Sequence, residues 1–236
     1  KTIMHKDDLA ALLHNAALAS YHEGKDEEAL NYFQRALQIS PGREESLALL
    51  CQLNLRRDGL EQAYLQLKGR VKNIDDLKSP ELMKTYAVVM YHMGRTEQAE
   101  KLAIKVLRQD PYHKDVLVLM ACLSENQDET DRAEWFWRRY LEKQPDSIKA
   151  RFALIELYAK AGGSRKLREV VEELFCISRD KGVCRFIKEI QERRKDKNLV
   201  YQPRVDVIRK ASKEALSERA LGFMDCGEEE HFLNEK

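Results

Sequence analysis

Apolar residues recur along most of the chain at spacings of three and four residues, which is the period of an amphipathic α-helix. The helical stretches are short and come in pairs, with a tight polar break between the two members of each pair. The chain of 236 residues contains only ten glycines and five prolines, which are too few for the many turns of a sheet protein. The pattern therefore predicts an all-α fold.

The helical pattern itself repeats along the chain. Residues 20–25 resemble residues 90–95, and in both places an alanine follows the glycine by five residues and a proline follows it by 17. The offset between the two blocks is 70 residues, which is about twice 35, and the later prolines Pro111 and Pro145 are 34 residues apart. A period near 34 predicts stacked helix pairs rather than a single closed core. The residues that carry this comparison are Gly24, Ala29, Pro41, Gly94, Ala99 and Pro111.

This spacing resembles the tetratricopeptide-repeat family, whose unit of 34 residues is a helix–turn–helix. The family pattern has large apolar residues at positions 4 and 24, small ones at 8, 20 and 27, Gly near 15 and Pro at 32. Residues 10–43 match it strongly, and residues 80–113 and 114–147 match it well. Residues 44–79 lack the proline and carry two extra residues, and residues 148–181 have Arg151 at position 4. The strongest match consists of Leu13, Ala17, Gly24, Ala29, Phe33, Ala36 and Pro41.

The resemblance implies a right-handed superhelical solenoid of about five units over residues 1–181, with the first helix of each pair lining a concave surface. We expect residues 182–221 to form C-terminal capping helices and residues 222–236 to form an acidic, flexible tail. Residues 165–213 hold 15 Lys and Arg against 8 Asp and Glu. We interpret this basic stretch as a solvated helical face that the acidic tail partly neutralises.

The resemblance also implies which residues form a partner-binding groove, because positions 2, 5, 9, 12 and 13 of each unit face the concave side. Tyr21 and Tyr91 fit either this groove or the packing between adjacent repeats. Trp137 at position 24 is expected in the core, and Trp135 is expected to face outward. The predicted groove residues are His14, Tyr21, His22, Gln52, Leu55, Arg56, Lys84, Val88, Tyr91, His92, Val118, Glu125, Asn126, Phe152 and Glu156.

Motifs for catalysis, metal binding and cofactor binding are missing from the sequence. It has no phosphate-binding glycine loop, no G-x-S-x-G, no H-E-x-x-H and no C-x-x-C, and none of its six histidines has a partner at metal-ligand spacing. We therefore predict a protein that is not an enzyme and that needs no cofactor and no metal.

Cysteine usage and hydropathy bear on the compartment. Five unpaired cysteines favour the cytoplasm or another reducing compartment, and Cys51 and Cys122 are expected to pack as small apolar residues. A disulfide between Cys176 and Cys184 is the less favoured alternative. No stretch is apolar for long enough to cross a membrane. The first residue is Lys1 rather than Met, which leaves open a signal or anchor before it.

The function that these observations favour is a non-catalytic scaffold or adaptor that binds a peptide or helical segment of another protein within a multiprotein assembly. The formal net charge of +1 does not predict a nucleic-acid binder. Two alternatives stay open at this stage: an RNA-associated helical-repeat protein, and a self-associating assembly factor that forms a homodimer.

Overall fold

The computed structural model describes residues 5–162 and 164–177, and the regular structure in this part is helical throughout. The predicted all-α fold of stacked helix pairs is confirmed. The α-helices are α1 (Lys6–His22), α2 (Asp26–Ile39), α3 (Glu44–Arg56), α4 (Leu60–Arg70), α5 (Pro80–His92), α6 (Thr96–Gln109), α7 (Lys114–Asn126), α8 (Thr130–Lys143), α9 (Ile148–Ala161) and α10 (Ser164–Ile177).

The chain divides into two compact units, with the boundary between Val116 and Leu117 inside α7. The first unit contains α1 to α6, and the second contains α8 to α10. The predicted capping helices at 182–221, the tail at 222–236 and the alternative disulfide to Cys184 fall outside the described residues.

The turn inside each helix pair depends on one residue with a positive φ. Gly24, Gly94 and Gly162 have φ values of 74°, 71° and 74°. Asp58 and Asp128 occupy the same position in the second and fourth pairs, with φ values of 54° and 59°. Glycine adopts this left-handed region without a steric penalty, and Asp is among the few other residues that tolerate it. The sequence repeat thus corresponds to a repeated backbone conformation.

The core between the helices alternates small and large side chains, as the repeat pattern requires. In the first pair Ala17, Ala29 and Ala36 are completely buried and allow the two helices to approach closely. Phe33 fills the remaining space and is also completely buried. Burying one such large side chain contributes about 1.5–3 kcal/mol.

The two extra residues of the second unit lie in the connection that leads from α4 to α5. This connection contains a short 3-10 helix at Ile74–Asp76. The carboxylate of Glu44 on α3 accepts hydrogen bonds from the backbone N–H groups of Lys78 (3.2 Å) and Ser79 (2.6 Å). Ser79 then caps α5, since its hydroxyl accepts a hydrogen bond from Leu82 N–H at 3.3 Å. The insertion is therefore accommodated before the next repeat begins.

Candidate protein-binding surface

Hydrogen bonds join the first helices of successive pairs side by side within the first unit. The Nδ1 of His14 on α1 and the Oγ of Ser46 on α3 are 2.8 Å apart, and both residues are buried. The side-chain amide of Gln52 on α3 donates to the Oγ1 of Thr85 on α5 at 3.0 Å. These partners are 32 and 33 residues apart, which is close to one repeat, so nearby positions of successive repeats meet. Helices α1, α3 and α5 consequently present one side in common.

A second contact lies at the C-terminal ends of α1 and α3. The guanidinium of Arg56 stands over the ring of Tyr21, 5.1 Å from its centroid. The ring of His22 meets Tyr21 edge-on at 5.7 Å, and His92 meets Tyr91 in the same way at 5.3 Å. Tyr21 and Tyr91 are both half-buried. Each tyrosine thus combines packing against neighbouring side chains with an accessible edge.

Most of the predicted groove residues in the first unit are accessible. His22, Arg56 and His92 are exposed, while the other accessible members are half-buried. We call this set the first-helix face. It consists of Tyr21, His22, Gln52, Leu55, Arg56, Val88, Tyr91 and His92.

Four predicted groove residues are buried and do not form an accessible surface. His14, Lys84 and Val118 are 9%, 8% and 9% exposed, and Phe152 is 2% exposed. The reason is clearest for Phe152, because α9 buries residues around most of its circumference. The position of a residue within the repeat indicates on which side of the helix it lies, but not how deeply its side chain is buried. These four residues are therefore left out of the accessible surface described above.

Lys84 is held by carboxylates rather than offered to a partner. Its Nζ lies 2.6 Å from Glu81 and 3.4 Å from Asp115. His113 also approaches Glu81, with 3.8 Å between Nε2 and Oε1. The neighbouring imidazole of His113, and then the ammonium group of Lys84, lower the pKa of Glu81 to about 2, although burial acts in the opposite direction. The side chains of Lys84, Glu81 and Asp115 thus already satisfy one another at this end of α5.

The predicted residues of the second unit include Glu125, Asn126 and Glu156. Glu125 accepts a hydrogen bond from the indole N–H of Trp137 at 2.7 Å, and Glu156 pairs with Lys160 at 3.0 Å. Trp137 is 3% exposed and lies in the core, as predicted. Glu125 also lines a small depression of about 160 Å³, together with Asp128, Thr130, Leu157, Lys160 and Ala161.

Trp135 faces outward from α8 with 52% of its surface exposed, as predicted. The guanidinium of Arg139 lies 5.0 Å from its ring centroid, and Phe136 packs edge-on at 4.9 Å.

The fifth helix pair contains a cluster of charged side chains where the repeat pattern has a large apolar residue, and the sequence pattern did not predict this cluster. Arg151 is 7% exposed, and its Nη1 donates to the carbonyl oxygen of Ser147 at 3.2 Å. The carboxylate of Glu173 lies between two guanidinium groups, 3.0 Å from Arg138 and 3.5 Å from Arg151. Burial lowers the pKa of Arg151, while Glu173 acts against this shift. The charged residue at position 4 could be recognised from the sequence. The residues that surround it on α8 and α10 could not.

Residues 5–162 and 164–177 contain no group of three His, Cys, Asp or Glu side chains that could hold a metal ion. The same part of the chain has no helix with the length and apolar character needed to span a bilayer. Cys51 is completely buried, as predicted, and its Sγ donates to the carbonyl oxygen of Ala63 at 3.6 Å. Burial raises the pKa of this thiol to about 12.

Comparison with known proteins gives one family match, and it coincides with the strongest predicted repeat. The tetratricopeptide-repeat model matches residues 10–43. No curated protein matches the sequence. Resemblance to the tetratricopeptide-repeat family is thereby confirmed for the unit in which the sequence pattern is clearest.

Solved structures extend the similarity of fold over most of the chain. PilF of Pseudomonas aeruginosa is 13% identical, with 91% of this chain and 95% of that chain covered and a TM-score of 0.65. A tetratricopeptide repeat protein from Parabacteroides merdae is 18% identical, with coverage of 89% and 88% and a TM-score of 0.59. YrrB, described as a protein of this repeat class with an unusual peptide-binding site, is 14% identical, with coverage of 78% and 94% and a TM-score of 0.62.

Proposed function

We propose that this protein, a tetratricopeptide-repeat protein by its fold and by the repeat at residues 10–43, is a non-catalytic interaction module. It binds a segment of a partner protein on the first-helix face of its first unit. Glu125, Asn126 and Glu156 of the second unit are proposed as separate further contacts.

The observation that carries this proposal is the composition of the first-helix face. It combines half-buried Tyr21, Leu55 and Tyr91 with exposed His22 and Arg56. Tyrosine and arginine are enriched among the residues that dominate binding energy at protein interfaces, because they supply large contact area together with polar groups. Half-buried tyrosines also lose little conformational freedom on binding, since neighbouring side chains already restrict them.

The form of the partner follows from the shape of this surface. Three first helices stand side by side, so an elongated segment can lie across all of them and contact equivalent positions in turn. Apolar groups and polar groups lie side by side along the path, which suits an amphipathic helix or an apolar-containing peptide. YrrB, a protein of similar fold described as having an unusual peptide-binding site, supports peptide binding as a use of such a scaffold.

A capture experiment with a double variant tests the proposal. Tyr91→Ala combined with His92→Ala removes two neighbouring groups of the first-helix face, and we expect partner proteins captured from an extract of the source organism to be lost. Leu65→Ala is the matched control, because Leu65 is 57% exposed on α4, a second helix of a pair. Nuclease treatment of the extract excludes capture through RNA. Unchanged capture by a folded double variant would contradict the proposal.

A further inference from the structure

The first-helix face has two parallel rows with different chemistry. One row consists of Tyr21, Leu55 and Tyr91, which occupy equivalent positions near the ends of α1, α3 and α5 and are half-buried. The residue that follows each of them is exposed, and these three residues are His22, Arg56 and His92. An apolar strip is therefore bordered on one side by an edge of imidazoles and a guanidinium.

The charges near this edge favour an anionic ligand. Arg56 contacts the ring of Tyr21 and forms no ion pair with any residue that the structure describes. The acids beside the edge are already engaged, since Glu23 pairs with Lys25 at 2.8 Å and Glu27 pairs with Arg57. A guanidinium over an aromatic ring can still offer its N–H edge to a carboxylate. The edge thus has an uncompensated donor directly beside apolar surface.

The C-terminal ends of the helices disfavour an anion at this edge, so this effect must be compared with the attraction of Arg56. The C-terminus of a helix carries a partial negative charge that disfavours a nearby carboxylate at the surface. An exposed ion pair with Arg56 is similar in size to this dipole effect, whereas hydrogen bonds to a charged group become stronger when they are partly desolvated. A ligand that covers the apolar strip desolvates this edge, so the favourable contribution exceeds the dipole term.

We propose that the first-helix face recognises an amphipathic helix with an apolar stripe and a row of acidic residues along one border of that stripe. This inference rests on the proposed function and specifies the chemistry of the partner. Packed helices are about 8–10 Å apart, and a helix rises about 1.5 Å per residue. Apolar residues of the partner that repeat about every seven positions therefore meet successive members of the tyrosine–leucine row.

Designed peptides of 21 residues test this directly. Three helical peptides share the same apolar residues at heptad positions a and d and carry Glu, Gln or Lys at every e position. We expect the Glu peptide to bind about fivefold more tightly than the Gln peptide, which is a difference of the size of one or two exposed ion pairs. The Lys peptide is expected to bind most weakly. Fluorescence anisotropy measures the three dissociation constants.

A charge reversal with a matched control assigns the effect to the edge. Arg56→Glu should remove the preference for the Glu peptide and favour the Lys peptide instead. Arg108→Glu is the control, because Arg108 is also an exposed basic residue in the last turn of a helix but lies on α6. Circular dichroism checks that the variants fold. If Arg56→Glu disturbs folding, the milder Arg56→Gln replaces it, and this variant should reduce the preference for the Glu peptide without reversing it.

The outcomes separate this inference from the proposed function. Equal affinity for all three peptides, or no binding of any of them, overturns the acidic-helix inference. In either case the capture experiment with Tyr91→Ala and His92→Ala still decides whether the first-helix face binds a protein. A Glu preference that persists in Arg56→Glu also overturns the inference, since the edge would then not be its source.

Discussion

At the scale of single residues, the turn glycines show how a local conformation is encoded. An added Cβ at Gly94 would meet no atom within 4 Å, so space does not require glycine there. The requirement is the φ of 71°, which side chains other than glycine rarely adopt. Gly42 also has open space around it but does not have a positive φ. The two glycines therefore have similar space around them and differ in backbone conformation.

Alanine substitutions at these two glycines give a matched prediction. We expect Gly94→Ala to lower the free energy of unfolding by about 1 kcal/mol, because the left-handed conformation costs about 1–2 kcal/mol and reduced freedom of the unfolded chain offsets part of it. Gly42→Ala should leave stability unchanged or raise it slightly. Urea denaturation measures both. Equal effects of the two substitutions would contradict the backbone explanation.

His14 predicts a pH dependence of stability. Burial is the largest cause that lowers the pKa of His14 below its ordinary value of 6.5, Arg43 acts in the same direction, and Glu45 opposes both. The unfolded chain therefore takes up a proton at a higher pH than the folded protein does. The stability that neutral His14 provides is present above pH 6.5 and is lost as pH falls through 6.5 toward the lower folded pKa.

The measurement is the urea midpoint from pH 8 to pH 5 for the wild type and for His14→Gln. We expect the variant to lose less stability than the wild type on acidification. Desolvation also lowers the pKa of His92, so a smaller slope should persist in the variant. Above pH 7 the two curves should run parallel. Identical slopes below pH 6.5 would rule out the buried imidazole as a source of the dependence.

At the scale of elements, the sequence predicts helix pairs well because turns and close contacts demand particular residue types. Gly24 and Ala29 satisfy local conditions that repeat with the period, so counting places them correctly. Hydrogen-bond partners on different helices are harder to predict from the repeat pattern. Ser46 and Thr85 hold neighbouring first helices to His14 and Gln52, yet small hydroxyl residues occur at many positions and carry no distinctive pattern.

The sequence pattern also did not predict how deeply individual side chains are buried. Phe152 occupies a groove position by count but is buried, because burial depends on everything that packs against α9 and not only on the side that the residue occupies. Arg151 was recognised as a departure from the repeat pattern. Its accommodation by Glu173 depends on a contact between two elements that sequence spacing does not specify.

The Glu173 group gives a prediction at this scale. Glu173→Ala leaves Arg151 buried without the carboxylate with which it forms an ion pair and should destabilise the protein by about 2 kcal/mol. This value is below the 3–5 kcal/mol typical of a broken buried pair, because the Glu173 side chain is 37% exposed. Arg151→Met should be neutral or stabilising, since an apolar side chain replaces the charge and Arg138 still pairs with Glu173.

Thermal or urea denaturation of these two variants distinguishes a balanced ion group from one that stabilises by itself. A larger loss for Arg151→Met than for Glu173→Ala would mean that the arginine contributes more than its burial costs. That result would contradict the interpretation of position 4 as an apolar site occupied by a compensated charge.

At the scale of the whole molecule, contacting side chains in both compact units are separated by about one repeat, 32 residues in one case and 35 in the other. The first case is His14 and Ser46 in the first unit, and the other is Arg138 and Glu173 in the second unit. Stabilisation by nearest neighbours is characteristic of stacked repeats. The sequence period therefore predicted both the type of element and the distance along the chain at which elements interact.

The central claim is that the first helices, rather than the second helices, form the working surface of the first unit. A photo-crosslinking amino acid placed in turn at positions 21, 55, 91 and 65 tests it most directly. We expect the captured partner to crosslink from Tyr21, Leu55 and Tyr91 and not from Leu65, which is exposed on a second helix. Crosslinking from position 65 with none from the other three positions would contradict the account.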